Sequence, residues 1–259
     1  MEYVAYKLIQ QSALQNIKYI EVRLAPCFHC TDTFTMSSVM EAVSSGLKRG
    51  CAEFNMRYDI IICLIRSFVS MAINKTMVEL AIMIPDVVAI DIAGDESAQP
   101  LSEFIDLLLM VKAAGKYITV HAGETQSTDL QLCFELGIDR IGHATKLIDY
   151  PDLLVKCRIP LEINVTSNVR TQAVLNYRGH PVRKYYDMGL IVTISTDDPG
   201  IFDITLSTEY ITLYDNGFTL EELKRIAYNG IHALFADPSI KDTLREELDR
   251  YLSKPLICP

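Results

Sequence analysis

The sequence has no stretch rich in lysine or arginine to offset its formal net charge of -9. An acidic surface repels phosphate backbones, so no nucleic acid and no anionic membrane is expected as a partner. It has no apolar run long enough to cross a bilayer: Ile60–Ile65 and Leu107–Val111 fall far short of the ~20 residues a spanning helix needs. The start, Met1-Glu2-Tyr3-Val4-Ala5-Tyr6-Lys7, lacks a basic leader followed by an apolar segment, so no signal peptide is expected. No Gly-x-Ser-x-Gly elbow surrounds Ser167 or Cys157. There is no Gly-x-Gly-x-x-Gly or phosphate loop either, which removes nucleotide-driven chemistry. The 7 cysteines are odd in number and scattered, which suits free thiols in a reducing cytoplasm better than a disulfide framework. A soluble cytoplasmic domain is the expectation.

What is present is enough for one large core. The chain has 259 residues, 49% hydrophobic and 22% charged, and α/β barrels commonly reach this length as one domain. With no linker, repeat or low-complexity segment, residues 1–259 read as a single domain. β-rich runs recur at Tyr19–Leu24, Ile60–Ile65, Val87–Ile92, Tyr117–His121, Arg140–His143, Leu161–Val165 and Ile191–Ser195. Several are largely apolar rather than alternating, as parallel strands buried on both faces should be. Segments of helical spacing, such as Ser102–Ala114 and Pro151–Cys157, lie between them. Gly115, Gly137 and Gly189 stand just before three of the strands, where helix C-caps belong. Thr219 with Glu222 has the form of a capping box opening a helix through about His232, and a polar helix, roughly Ile240–Leu252, closes the chain. This alternation predicts a parallel sheet with helices outside it. The seven strands are one fewer than a closed (β/α)8 barrel needs.

The residues capable of chemistry cluster at the C-terminal ends of these strands. His121, Gly123 and Glu124 follow Tyr117–Val120, and His143 ends Arg140–Gly142. Thr166, Ser167 and Asn168 follow Leu161–Val165, while Asp197 and Asp198 follow Thr193–Thr196. In a barrel those ends converge on one face and build the active site. Imidazole and carboxylate together suit a zinc ion that holds a water. Taken singly, a histidine at a strand end is ordinarily a hydrogen-bonded core or rim residue. An Asp-Asp-Pro is ordinarily a turn or helix start. Four such groups, each at its own strand end, favour a site.

Four segments resemble, in order, the signatures of the adenosine deaminase family: His121-Ala122-Gly123-Glu124, Arg140-Ile141-Gly142-His143, Thr166-Ser167-Asn168 and Ser195-Thr196-Asp197-Asp198-Pro199. Ile90–Glu96 and Ile20–Pro26 match the family's strand motifs as well. The resemblance implies a TIM (β/α)8-type barrel and zinc-dependent hydrolytic deamination of adenosine, and of 2'-deoxyadenosine, to inosine and ammonia. By the same resemblance His121 and Asp197 would be zinc ligands. His143 would hold the zinc-bound water and assist its deprotonation, and Glu124 would pass a proton to purine N1. Asp198 would hydrogen-bond N7, the Gly94 N–H would reach N3, and Asp91 would stand behind a ligand.

Members of that family carry a His-x-His pair on their first strand, and no His-x-His occurs here. The chain opens instead in a helix-like run, Met1–Leu14, leading into what reads as the second strand. The expectation is a barrel lacking its first strand, roughly the first quarter of a full-length member, with two protein ligands for the ion and poor activity on its own. Two alternatives stay open: a sibling deaminase acting on adenine or a modified adenosine, and a catalytically silent barrel that binds purine nucleosides or a protein partner. Pro26-Cys27-Phe28-His29-Cys30 contains half of the cytidine-deaminase zinc signature, but that signature needs an upstream His-x-Glu and no histidine precedes His29. Free cysteines are the expectation there. His180 reads as a cap or backbone contact, and His232 as a packing residue on its helix.

Overall fold

Seven short β-rich runs form strands in the computed structural model, which describes residues 1–126 and 128–253. They are β1 (Tyr19–Leu24), β2 (Arg57–Ile65), β3 (Val87–Ala93), β4 (Tyr117–Ala122), β5 (Arg140–His143), β6 (Leu161–Ile163) and β7 (Val192–Ile194). Each pairs in parallel with the next, so the order along the sheet is the order along the chain. A helix or helical turn follows every strand, as parallel neighbours require. β6 and β7 are shorter than their apolar runs. Val165 already opens the helix Val165–Arg170, where the Glu209 carboxylate accepts the Thr166 N–H at 3.0 Å.

The sheet is curled. Arg23 on β1 forms an ion pair with Glu162 on β6, and Glu21 on β1 meets Arg140 on β5 at 2.6 Å. Strands so far apart in the order can touch only across the inside of an incomplete barrel. Among the described residues no pairing joins β7 to β1, so the predicted barrel short of one strand is the architecture. The two edges differ. Every residue of β1 is half-buried, as for a strand with one side unpaired. β7 is fully buried, and Asn229 on the helix Leu220–Ala233 donates to its Val192 carbonyl at 3.0 Å.

The barrel interior carries a ladder of alternating charge. Glu21 meets Arg140, Arg140 meets Glu162 at 2.5 Å, Glu162 meets Arg23, and Arg23 approaches Asp91 at 3.4 Å. Asp91 and Glu162 are buried, and such charges persist only when paired. The ladder ends on His121, whose Nδ1 lies 2.9 Å from Asp91 Oδ2. Below it, Phe235 packs on Ile61 and Ala89 and stacks on Tyr117 at 4.7 Å, with Arg140 over its ring at 3.7 Å.

Local signals act as their chemistry requires. Gly115, Gly137 and Gly189 have φ of +71°, +59° and +78°, the left-handed region that ends helices. The Thr219–Glu222 capping box is present at the start of Leu220–Ala233. His232, expected to pack, is exposed instead, because it falls on the outer face of that helix. The helix Glu2–Leu14 lies against Met36–Phe54 where Gly46 and Gly50 let the backbones approach. A Cβ at Gly46 would collide with the Glu2 carbonyl oxygen. No helix among the described residues is long and apolar enough to cross a membrane.

Candidate active site

The parallel register sets the first two side chains beside each other. His121 is paired with Gly142 and Ala122 with His143. Side chains alternate faces along a strand, so a regular β5 would send His143 to the face opposite Gly142, away from His121. It does not, because the backbone turns left-handed at His143 (φ +65°) and Ala144 (φ +51°). The two imidazoles meet with ring centroids 4.8 Å apart. Asp197, on the loop after β7, is left-handed too, at φ +58°. Such conformations cost of order 1–3 kcal/mol for residues with a side chain and concentrate where function demands them.

His143 is the hub. Its Nε2 lies 3.7 Å from Glu124 Oε2 and 3.9 Å from Asp197 Oδ2, while Asn168 Nδ2 reaches its Nδ1 at 2.8 Å. Thus four predicted residues, His121, Glu124, His143 and Asp197, are gathered at the ends of β4, β5 and β7. Asp198 and Gly94 sit on the exposed rim of the same end, after β7 and β3. Burial pushes the Asp198 carboxyl above its ordinary value, and the charge of Asp197 adds to this. Gly94 has φ +103°, and a Cβ there would crowd the Arg66 backbone at 3.3 Å.

Supporting residues fix the reactive ones. Glu96 is buried, and its carboxylate accepts the backbone N–H groups of Glu124, Thr125 and Gln126 at 3.1, 3.3 and 2.8 Å. Burial raises the Glu96 carboxyl above its ordinary value, against those three bonds. Thr145 Oγ1 donates to the carbonyls of Gly123 and Glu124, and Thr171 Oγ1 donates to Glu124 Oε1 at 2.9 Å. Ser167 Oγ donates to Asp197 Oδ2 at 2.7 Å. The sequence placed Glu96, Ser167 and Asn168 within motifs without giving them partners. Thr171 carried no signal at all.

Two ring environments differ in sign. Burial alone would lower His121, but the Asp91 carboxylate reverses this and raises it to about 9. Burial would likewise push Asp91 up, yet His121 and Arg23 hold it well below the usual carboxylate range. The Nδ1–Asp91 contact is close but bent, since Nδ1 has no well-aligned acceptor. His143 is lowered by burial and by the neighbouring His121.

The donor chemistry fits a divalent metal in kind. Asp91 occupies Nδ1 of His121 and leaves Nε2 as the ligand atom, the carboxylate–histidine arrangement that orients metal ligands. Ser167 steadies Asp197 in the same way. In number the donors fall short: no group of three or more His, Cys, Asp or Glu among the described residues could hold a metal ion. A catalytic zinc takes three protein ligands. Cys27 and Cys30 are free thiols on the turn after β1. A groove of about 660 Å³ lined by Lys146, Arg178, His180 and Arg183 lies beside the helix Val182–Asp187 rather than over His121 and Asp197. Convergence of side chains, not cavity size, locates the site.

A family model described as adenosine deaminase matches residues 1–251. An adenosine deaminase of Aliivibrio fischeri is 36% identical over 250 residues, which cover 94% of this chain and 75% of that protein. Among solved structures, the N6-mAMP deaminase MAPDA of arabidopsis superposes with a TM-score of 0.87 at 29% identity, covering 96% of this chain and 78% of the other. The adenine deaminase of Arthrobacter aurescens shares the fold with a TM-score of 0.90 at 22% identity, covering 96% and 78%.

Proposed function

We propose, since this chain belongs to the adenosine deaminase family of hydrolytic enzymes, that its strand-end site replaces the 6-amino group of a purine nucleoside by oxygen, with adenosine and 2'-deoxyadenosine as substrates. The observation that carries this is the convergence on His143: Nε2 within 3.7 Å of Glu124 and 3.9 Å of Asp197, and the ring 4.8 Å from His121.

Exchange of an aromatic amine for oxygen needs a strong nucleophile, a proton for the ring and a grip on the base. His121 Nε2 and Asp197 would hold zinc, which when bound supplies the nucleophile by lowering the pKa of water from about 15.7 to roughly 7. His143 orients the attacking oxygen between Glu124 and Asp197. Attack at C6 breaks the aromaticity of the ring and builds charge on N1, and Glu124 protonates N1 as this happens. Its placement is held from two sides, by Glu96 on the backbone and Thr171 on the carboxyl. Asp198, whose carboxyl is raised by desolvation and by the neighbouring Asp197 charge, would hydrogen-bond N7. The Gly94 N–H serves N3. Glu124→Gln should leave zinc binding unchanged and abolish turnover; substantial residual activity refutes the role.

The donor count favours a second reading, a purine-nucleoside-binding barrel with little turnover, since two protein ligands hold zinc weakly. Zinc content measured beside an ultraviolet assay of adenosine conversion separates the two. Adenine and an N6-modified adenosine, tested alongside adenosine, discriminate the sibling activities.

A further inference from the structure

Behind His143 the polar side chains form a chain whose hydrogens can be placed one at a time. The backbone N–H of Val182 lies 3.1 Å from His180 Nδ1. A backbone amide only donates, so this Nδ1 carries no hydrogen and the ring keeps its one proton on Nε2. Nε2 is 3.1 Å from Asn168 Oδ1 and donates to it. The two ends of an amide are told apart by such partners, and here the oxygen must face His180. Asn168 Nδ2 then donates across 2.8 Å to His143 Nδ1, and Asn164 Nδ2 addresses the same nitrogen from 3.3 Å. His143 Nδ1 is therefore an acceptor, and the proton of its neutral ring sits on Nε2. There it faces two acceptors, Glu124 Oε2 at 3.7 Å and Asp197 Oδ2 at 3.9 Å. His180, Asn168, Asn164 and His143 are all buried, so water does not compete for these bonds.

We propose that His180 is a positioning residue that, acting through Asn168, holds His143 in the Nε2–H tautomer, so that His143 meets the reaction centre as a hydrogen-bond donor. This rests on the deaminase reading of the strand-end site and narrows the role of His143 within it. A neutral ring already protonated on Nε2 cannot take a second proton there without becoming a cation. The proton leaving the attacking water goes instead to the Glu124 carboxylate, which passes the same proton to purine N1. One group carries it throughout, and His143 ends the step as it began, donating to the oxygen that attacks C6.

The tautomer of His143 can be read directly by long-range 1H–15N correlation on the 15N-labelled, metal-free full chain. The chain has 5 histidines, of which His29 and His232 are exposed, so the spectrum is tractable. In the unmodified chain His143 is expected to show a bare Nδ1 and a protonated Nε2. His180→Leu frees the Asn168 amide to turn and should shift His143 toward a mixture of tautomers. His180→Gln, which restores a donor toward Asn168, should return the original pattern. Asn168→Asp offers an acceptor to both rings and should reverse the pattern to Nδ1–H. A protonated Nδ1 in the unmodified chain overturns the proposal even if every variant fails to fold, and so does an unchanged pattern in folded His180→Leu. None of these readouts depends on zinc or turnover, so failure of the deaminase reading would be seen separately, in the adenosine assay.

Discussion

Replacing Asp91 by asparagine removes the carboxylate that keeps His121 charged in a buried position. With its pKa raised from 6.5 to about 9, the folded chain binds the His121 proton more tightly than the unfolded chain does. The sign follows from linkage: this stabilisation is fully present below pH 6.5 and is lost as pH rises through about 9. At 1.36 kcal/mol for each pKa unit, the rise from 6.5 to about 9 corresponds to about 3 kcal/mol, an upper figure for a pair near the open mouth of the barrel. In Asp91→Asn, burial and the Arg23 charge lower His121 against only the smaller pull of Asp197, and its pKa should fall to 6.5 or below. Arg23 keeps Glu162 as a partner, so the ladder below is not left with an isolated charge. Urea unfolding of the metal-free chain at pH 6 and pH 10, with the His121 ring titrated by NMR, tests this. The penalty of Asp91→Asn should be larger at pH 6 than at pH 10 by about 3 kcal/mol. An equal penalty at both, or a wild-type His121 that titrates at or below 6.5, refutes the electrostatic account of this pair.

Other expectations are simpler. Gly46→Ala, driven against the Glu2 carbonyl and Ala5, should lower unfolding stability by about 1–3 kcal/mol. Gly230→Ala, on a helix where an added Cβ meets nothing within 4 Å, should raise it by roughly 0.5–1 kcal/mol; denaturation curves of the pair check both signs. Ser167→Ala removes the bond that steadies Asp197 and should weaken zinc binding roughly 10- to 100-fold, as read by competition with a chromophoric chelator. Because metal must displace the proton that His121 holds up to about 9, zinc affinity should climb as pH rises from 6 to 9; a flat profile would contradict the assignment of His121.

Most of the framework was legible in the sequence, for reasons visible in particular residues. Ile60–Ile65 is apolar throughout because β2 is buried on both faces, and glycines at 115, 137 and 189 sit where a left-handed residue must end a helix. Strand ends were less legible: Val165 is β-branched and reads as strand, yet it opens a helix. The four strand-end candidates His121, Glu124, His143 and Asp197 could be picked out because barrel geometry brings strand ends together regardless of sequence distance. How His143 reaches the inside was not legible, since it depends on positive φ at a histidine and an alanine, neither of which announces such a conformation. The ladder from Glu21 to Asp91 was equally hidden, because pairing β1 with β5 and β6 requires the curl of the sheet. His180 was expected to contact backbone and does so through Val182 N–H. Its second contact, to Asn168, belongs to tertiary packing.

The claim on which the rest depends is that these converging side chains perform deamination. Its most direct measurement is inosine and ammonia released from adenosine by the metal-free chain as zinc is added, run beside Glu124→Gln. The account predicts turnover that is absent without zinc, rises with zinc concentration toward a low plateau, and disappears in the variant. No conversion by a chain that demonstrably carries zinc, or equal conversion by Glu124→Gln, would contradict it.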